Sequence, residues 1–230
     1  MGKIRLRRPQ IDHNRGQNLH AYTTFNGKNP PRISITSISV SDFLKQNWQW
    51  SEPKLISPPN IDDKDACVFP EKIKGKYFII HRYANDIDTD FVQSLNFDGR
   101  TWLEEYKWIT PRPGMWDSEK IGVAAPPLKT NKGYLLLYHG VSQTDHHYRV
   151  GALLLDPTDP TIITARTNEP LLEPKEPYEK EGQIPNVVFP CGAVEINNTV
   201  LIYYGCADST VSVATIPTLK LINYLKKCRV

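Results

Sequence analysis

Tyr134-Leu135-Leu136-Leu137-Tyr138-His139-Gly140 is a run of apolar and aromatic residues closed by a histidine and a glycine. It has three counterparts: Leu19-His20-Ala21-Tyr22-Thr23-Thr24-Phe25, Tyr77-Phe78-Ile79-Ile80-His81-Arg82 and Val200-Leu201-Ile202-Tyr203-Tyr204-Gly205. Their first residues stand 58, 57 and 66 positions apart. Short β-branched and aromatic runs bounded by Gly, Pro, Asn and Asp read as strands. A second such run follows each one, at Ile33–Val40, Phe91–Asn96, Tyr148–Leu155 and Val211–Thr215. The last three are also preceded by one, at Ala66–Phe69, Ile121–Ala125 and Val187–Val194, marked by Pro70, Pro126-Pro127 and Pro190. A repeat of about 60 residues with three or four antiparallel strands has the size of a propeller blade, which buries its faces against its neighbours. A two-sheet sandwich is the alternative, but it gives no reason for even spacing. The expected fold class is therefore all-β, a β-propeller with about four blades present. The 19 prolines argue against long helices. One short C-terminal helix is expected at Leu219–Lys227, with Leu221, Ile222 and Leu225 on one stripe.

The composition narrows the partners. Of 230 residues, 40% are hydrophobic and 23% charged, enough for a real core. No stretch approaches the ~20 apolar residues of a membrane span. The net charge of +3 comes from the first fifteen residues, where Lys3, Arg5, Arg7, Arg8 and Arg15 face one acid, Asp12. The remainder is close to neutral, which points away from nucleic acid. No apolar segment follows the basic start, so a secretory signal is not expected and a cytoplasmic location is. Cys67, Cys191, Cys206 and Cys228 lack C-x-x-C spacing and predict reduced thiols rather than a metal site.

Polar residues at the strand edges carry the candidate chemistry: Lys64, Asp65, Arg82, Lys120, His139 and Asp208. Each has a plain structural explanation. Lys64 and Asp65 fit a solvated turn after Pro58-Pro59-Asn60, and Arg82 or His139 fits a strand end. Their recurrence at corresponding points of successive repeats places them near one propeller mouth. Four basic groups there make an anion site, suited to phosphate or carboxylate.

The ordered motifs resemble glycoside hydrolase family 130, the β-mannoside phosphorylases and related mannosidases. They are Asp65-Ala66-Cys67-Val68-Phe69-Pro70-Glu71-Lys72-Ile73-Lys74-Gly75-Lys76-Tyr77 with His81-Arg82, Lys120-Ile121-Gly122 with Pro126-Pro127, and Tyr138-His139-Gly140-Val141. Pro185-Asn186-Val187-Val188-Phe189 and Tyr203-Tyr204-Gly205-Cys206-Ala207-Asp208 complete the set, and the likeness spans about residues 19–227. The resemblance implies a five-bladed propeller and inverting phosphorolysis of a β-mannosidic bond, giving α-mannose 1-phosphate. Inorganic phosphate is then a co-substrate and no cofactor is implied. It also implies that Lys64, Arg82, Lys120 and His139 bind phosphate and that Asp65 and Asp208 bind sugar. A cationic cradle replaces the general base that an inverting hydrolase uses on water.

Three departures from the family pattern stand out. Phosphorylases usually show Arg-Asn where this chain has Lys64-Asp65, so a bidentate fork is lost and a negative charge gained. The family's acid, in Asp-Pro-Arg, falls at Arg8-Pro9-Gln10, so the catalytic acid is unknown. Asp12 shares the strand face of Arg8 but lies about 13 Å further along at ~3.3 Å per residue. The third is length: the family has a further blade before this point. The expected organisation is a degenerate basic segment, 1–18, and a partial propeller, 19–230, with a homo-oligomer or second chain as a source of the absent blade. A non-catalytic carbohydrate-binding propeller and a β-mannoside hydrolase are the alternatives. A glycosidase of another propeller family would need three carboxylates, for which Asp65, Glu71 and Asp208 are the candidates.

Overall fold

A computed structural model describes residues 10–12 and 16–230; Arg8, where the family's acid falls, lies outside them. The chain divides into two compact units, one ending at Ile109 and the other starting at Thr110.

The first unit holds two four-stranded antiparallel sheets. The first sheet comprises β1 (Gln10–Asp12), β2 (Gln17–Thr24), β3 (Arg32–Ser39) and β4 (Lys54–Leu55), in that order. Helix α1 (Val40–Leu44) follows β3 directly; Ser39 caps it by accepting from the Asp42 backbone N–H. The second sheet is a meander of β5 (Asp63–Val68), β6 (Tyr77–Tyr83), β7 (Asp86–Val92) and β8 (Lys107–Ile109). Ile33 and Ile35 from the first sheet pack with Val68, Tyr77 and Ile79 from the second, and Ile56, Phe97 and Leu103 complete this core. Tyr77 to Arg82 are buried without interruption, as a strand covered on both sheet faces requires.

One strand lies elsewhere than its apolar pattern suggested. The run expected at Phe91–Asn96 starts five residues earlier, because Ala84-Asn85 turns the chain straight back after Tyr83, with Ala84 at φ +53°. Asp86-Ile87-Asp88-Thr89-Asp90 then pairs with β6, and three of its polar residues, Asp88, Thr89 and Asp90, are buried.

The second unit holds a five-stranded and a three-stranded sheet. In the larger, β9 (Lys120–Val123) and β10 (Leu128–Thr130) both pair with one side of β11 (Gly133–Val141), interrupted by Pro126-Pro127, which cannot donate to the ladder. β12 (Tyr148–Leu155) and β13 (Ile163–Arg166) continue it. The short helix α2 (Pro177–Lys180) precedes the smaller sheet of β14 (Val188–Ile196), β15 (Thr199–Cys206) and β16 (Thr210–Pro217). Pro190 is tolerated in β14 because the strand is at an edge and bulges at Cys191. Helix α3 (Thr218–Leu225) buries Leu221, Ile222 and Leu225 against Leu135, Leu137, Leu154, Val200 and Ile202, which matches the expected stripe.

The protein is thus all-β in class, with antiparallel sheets of the propeller-blade type. Cys67, Cys191, Cys206 and Cys228 are free thiols. No helix among the described residues is long and apolar enough to cross a membrane.

Candidate functional site

Each unit carries one cluster of the residues singled out by sequence. In the first, Lys64 on β5 stands directly opposite Arg82 on β6. The register then slips, so that Cys67 pairs with Ile80, and the extra residue makes a bulge. Within it Asp65 takes φ +56°, a left-handed conformation uncommon for a residue with a Cβ. The bulge re-aims the Asp65 side chain, whose Oδ2 lies 3.3 Å from Arg82 Nη1, with both side chains buried. Lys64 Nζ turns to Asp62, 3.0 Å away. Each cation that the sequence singled out in this unit is therefore matched by a carboxylate. Glu71 lies beyond the opposite end of β5 from Asp65 and is exposed.

Beside Arg82, His81 Nδ1 and Asp63 Oδ1 share a 2.8 Å hydrogen bond in the fully buried interior. Asp88 sits opposite His81 on β7, and its carboxylate oxygens have no hydrogen-bond partner among the described residues. Burial raises its pKa to about 6, and Glu105 and Asp86 add to that against the opposing pull of His81. Burial also raises the pKa of Asp63, with His81 pulling the other way.

In the second unit, Lys120 begins β9 opposite Val141, which is itself opposite Tyr148 on β12. His139 precedes Val141 by two residues and so shares its sheet face. The structure thus brings Lys120 and His139 together on one face, with Tyr148 beside both. Lys120 Nζ lies 5.4 Å over the Tyr148 ring, and the His139 and Tyr148 ring centroids are 5.7 Å apart. Phe189 closes the other side of His139 at 4.6 Å. Burial pulls the Lys120 pKa down, but Tyr148 and Glu119 outweigh it and hold the ammonium above its ordinary value. Glu119 reaches Lys120 at 3.4 Å and also takes a 2.5 Å hydrogen bond from His146.

Asp208 occupies the turn between β15 and β16 at φ +54°, half-buried. Cys206 before it pairs with Val188, and neighbouring Val187 bridges to Tyr148, so Asp208 lies at the sheet end that carries Tyr148.

A further polar network supports this unit. Asp117, fully buried, accepts from Arg112 Nε at 3.0 Å, Arg166 Nη2 at 2.6 Å and the Tyr138 hydroxyl at 2.8 Å. Trp116 stacks on Tyr138, and Gly140 and Gly151 permit the approach: a Cβ at Gly151 would come within 2.6 Å of Trp116 and 2.7 Å of Tyr138. Sequence reasoning missed Tyr148, Phe189 and Asp117 as site or support residues. The Trp116-Asp117-Ser118 step just before Lys120 was the available signal, whereas the partners Arg112 and Arg166 lie 54 positions apart. Among the described residues no group of His, Cys, Asp and Glu is arranged to hold a metal ion.

The family described as beta-1,4-mannooligosaccharide phosphorylase matches residues 16–227. A beta-1,2-mannobiose phosphorylase of Thermoanaerobacter sp. (strain X514) is 41% identical over 200 residues, which are 87% of this chain and 63% of the relative. A 1,2-beta-oligomannan phosphorylase of the same organism is 43% identical over 160 residues, 70% of this chain and 51% of the relative. Among solved structures, the beta-1,2-mannobiose phosphorylase of Listeria innocua with beta-1,2-mannobiose superposes with a TM-score of 0.79 at 30% identity, covering 97% of this chain and 61% of that one. The chain spans about half to two-thirds of the length of these relatives.

Proposed function

The chain belongs to glycoside hydrolase family 130, and on that premise we propose that it serves the inverting phosphorolysis of a β-mannosidic bond. A phosphate oxygen attacks the anomeric carbon, the glycosidic C–O bond breaks, and the leaving oxygen takes a proton from a general acid. The products are α-mannose 1-phosphate and the shortened sugar. Phosphate is the co-substrate, and the reaction needs no cofactor.

The observation that supports this reading best is the arrangement on β9, β11 and β12. Lys120, held protonated above its ordinary range, and His139 share one sheet face beside the aromatic wall of Tyr148 and Phe189. Such a face offers a phosphate oxygen a cation and a sugar ring an apolar surface. In this reading Lys64 and Arg82 of the first unit are phosphate ligands as well, and Asp208 is a ligand to a sugar hydroxyl. Asp65 is a sugar ligand in this reading, and its carboxylate also lies 3.3 Å from Arg82.

One observation favours a second reading. The Asp65–Arg82 pair offsets a cation that phosphate would use. That change suits a protein that binds or hydrolyses β-mannosides without phosphate. One assay separates the readings: incubation with β-1,2- or β-1,4-mannobiose, with and without inorganic phosphate. Phosphorolysis releases mannose 1-phosphate only when phosphate is present. Phosphate-independent release of free mannose supports the hydrolase, and binding with no release supports the non-catalytic module.

A further inference from the structure

The connection between β7 and β8, residues 93–106, is long for a link between adjacent antiparallel strands. It is nevertheless held at several points. Asp98 Oδ1 accepts from the backbone N–H groups of Arg100 and Thr101 at 2.9 and 2.8 Å. Asp90 Oδ2, buried at the end of β7, accepts from the Glu104 N–H at 3.0 Å. The Leu103 N–H donates to Ile56 O, and Phe97 and Leu103 are sunk in the core. A connection fixed in this way is pre-organised for binding, because little ordering remains to be done.

This connection and β7 enclose a cleft of about 450 Å³, within the ~300–1,000 Å³ range of small-molecule sites. Four aromatic residues line it: Phe97, sunk in the core, and the more exposed Phe91, Trp102 and Tyr106. Each of the last three is positioned by a contact elsewhere. Phe91 stacks on Phe78 with centroids 4.6 Å apart, Trp102 lies under the Arg32 guanidinium at 4.7 Å, and the Tyr106 hydroxyl donates to Glu104 Oε2 at 2.6 Å. Acceptors interleave with the rings, namely the carboxylates of Asp90, Asp98 and Glu104 beside the amides of Gln93 and Asn96. Among the described residues no Lys, Arg or His lines the cleft.

Aromatic faces alternating with hydrogen-bond acceptors match a neutral pyranose, which has an apolar C–H face and a rim of hydroxyl donors. The absence of basic groups from the lining opposes phosphate. Asp90, Asp98 and Glu104 each also accept from a group of the chain, so a hydroxyl would use their remaining lone pairs, and among the described residues no group of His, Cys, Asp and Glu is arranged to hold a metal ion. The cleft is also distinct from Lys64 and Arg82. Arg82 pairs with Ile87, and Phe91 lies four residues further along β7, roughly 13 Å away at ~3.3 Å per residue.

We infer that this cleft is a separate carbohydrate-binding site that holds a β-mannan chain on the last two strands of the second sheet, away from Lys64 and Arg82. The choice of β-mannan rests on the proposed function; the choice of a neutral sugar rests on the cleft.

The test is affinity electrophoresis of the 230-residue protein through gels containing β-mannan, xylan or a β-glucan. It compares the wild type with Tyr106→Ala and Glu104→Ala, both at exposed side chains. Circular dichroism confirms that each variant is folded. The wild type should be retarded by β-mannan, and Tyr106→Ala should weaken that interaction about tenfold, with a smaller loss for Glu104→Ala. Wild-type retardation by xylan or β-glucan alone, lost in Tyr106→Ala, keeps the sugar site and overturns its assignment to mannan. No retardation by any glycan, or equal retardation of wild type and both variants, overturns the site itself.

Discussion

Replacing Asp65 by asparagine should strengthen phosphate binding, although it removes one partner of a buried ion pair. Asp65 Oδ2 sits 3.3 Å from Arg82 Nη1, so an anion approaching another edge of the same guanidinium would lie about 6 Å from that carboxylate. At an effective dielectric near 20, two unit charges at that separation repel by about 3 kcal/mol. Partial solvation of an entering phosphate and the lost Asp65–Arg82 attraction reduce the net gain to about 1–2 kcal/mol, a factor of roughly 5–30 in affinity. Asparagine keeps the volume, and its amide can donate to phosphate where a carboxylate cannot. Titration calorimetry of inorganic phosphate into wild type and Asp65→Asn reads the difference directly. Affinity unchanged within twofold, or weakened, would mean that Arg82 does not meet phosphate, and the reasoning from the bulge fails with it.

Asp88→Asn should stabilise the fold at neutral pH. The Asp88 pKa is raised to about 6 in the folded state, so its contribution is fully present below about pH 4 and is lost as pH rises through about 6. The advantage of the variant over wild type should therefore be near zero at pH 4 and reach about 1–3 kcal/mol at pH 7 in urea unfolding; an advantage that is flat with pH would contradict it. His81, Glu105, Asp86 and Lys107 are the titratable groups around Asp88, and all four residues are kept in the variant. Asp117→Ala should cost about 3–5 kcal/mol, because it leaves Arg112, Arg166 and Tyr138 facing an empty site in the interior. A loss under 1 kcal/mol in denaturant unfolding would show that the network is dispensable. Tyr148→Phe should lower the Lys120 pKa, since the hydroxyl is among the groups that hold the ammonium protonated, and the NMR titration of the Lys120 Nζ reads it.

The strands with unbroken apolar runs were legible in the sequence, and those built around polar residues were not. Tyr134–Gly140 and Tyr77–Arg82 are buried along their whole length, so their composition alone identifies β11 and β6. β7 is the opposite case. Asp86-Ile87-Asp88-Thr89-Asp90 reads as a loop, yet β6 supplies its backbone partners and Asp90 spends its carboxylate on the N–H groups of Phe91 and Glu104. Helix α1 was hidden for a related reason, because Val40 extends a strand pattern while Ser39 caps a turn of helix. The site was legible as residue types and not as pairings. The aligned repeats single out Lys64, Arg82, Lys120 and His139, but that Lys64 stands opposite Arg82 and Lys120 shares a face with His139 is set by the strand register. The turning of Asp65 onto Arg82 depends on a bulge with no glycine or asparagine at its left-handed position to announce it. Tyr148 and Phe189 were masked as ordinary strand aromatics until β12 and β14 placed them against His139.

The measurement that tests the account most directly is calorimetric titration of inorganic phosphate into the wild-type chain, Arg82→Ala and Lys120→Ala. A charge-assisted hydrogen bond contributes about 1.5–3 kcal/mol, so each truncation should weaken binding at least tenfold while β-mannobiose binding persists. Saturable phosphate binding in the wild type, lost in both variants, is the predicted result. A wild-type chain that binds β-mannobiose but gives no phosphate heat, or variants that bind phosphate as the wild type does, would contradict the assignment of these cations to a phosphorylase site.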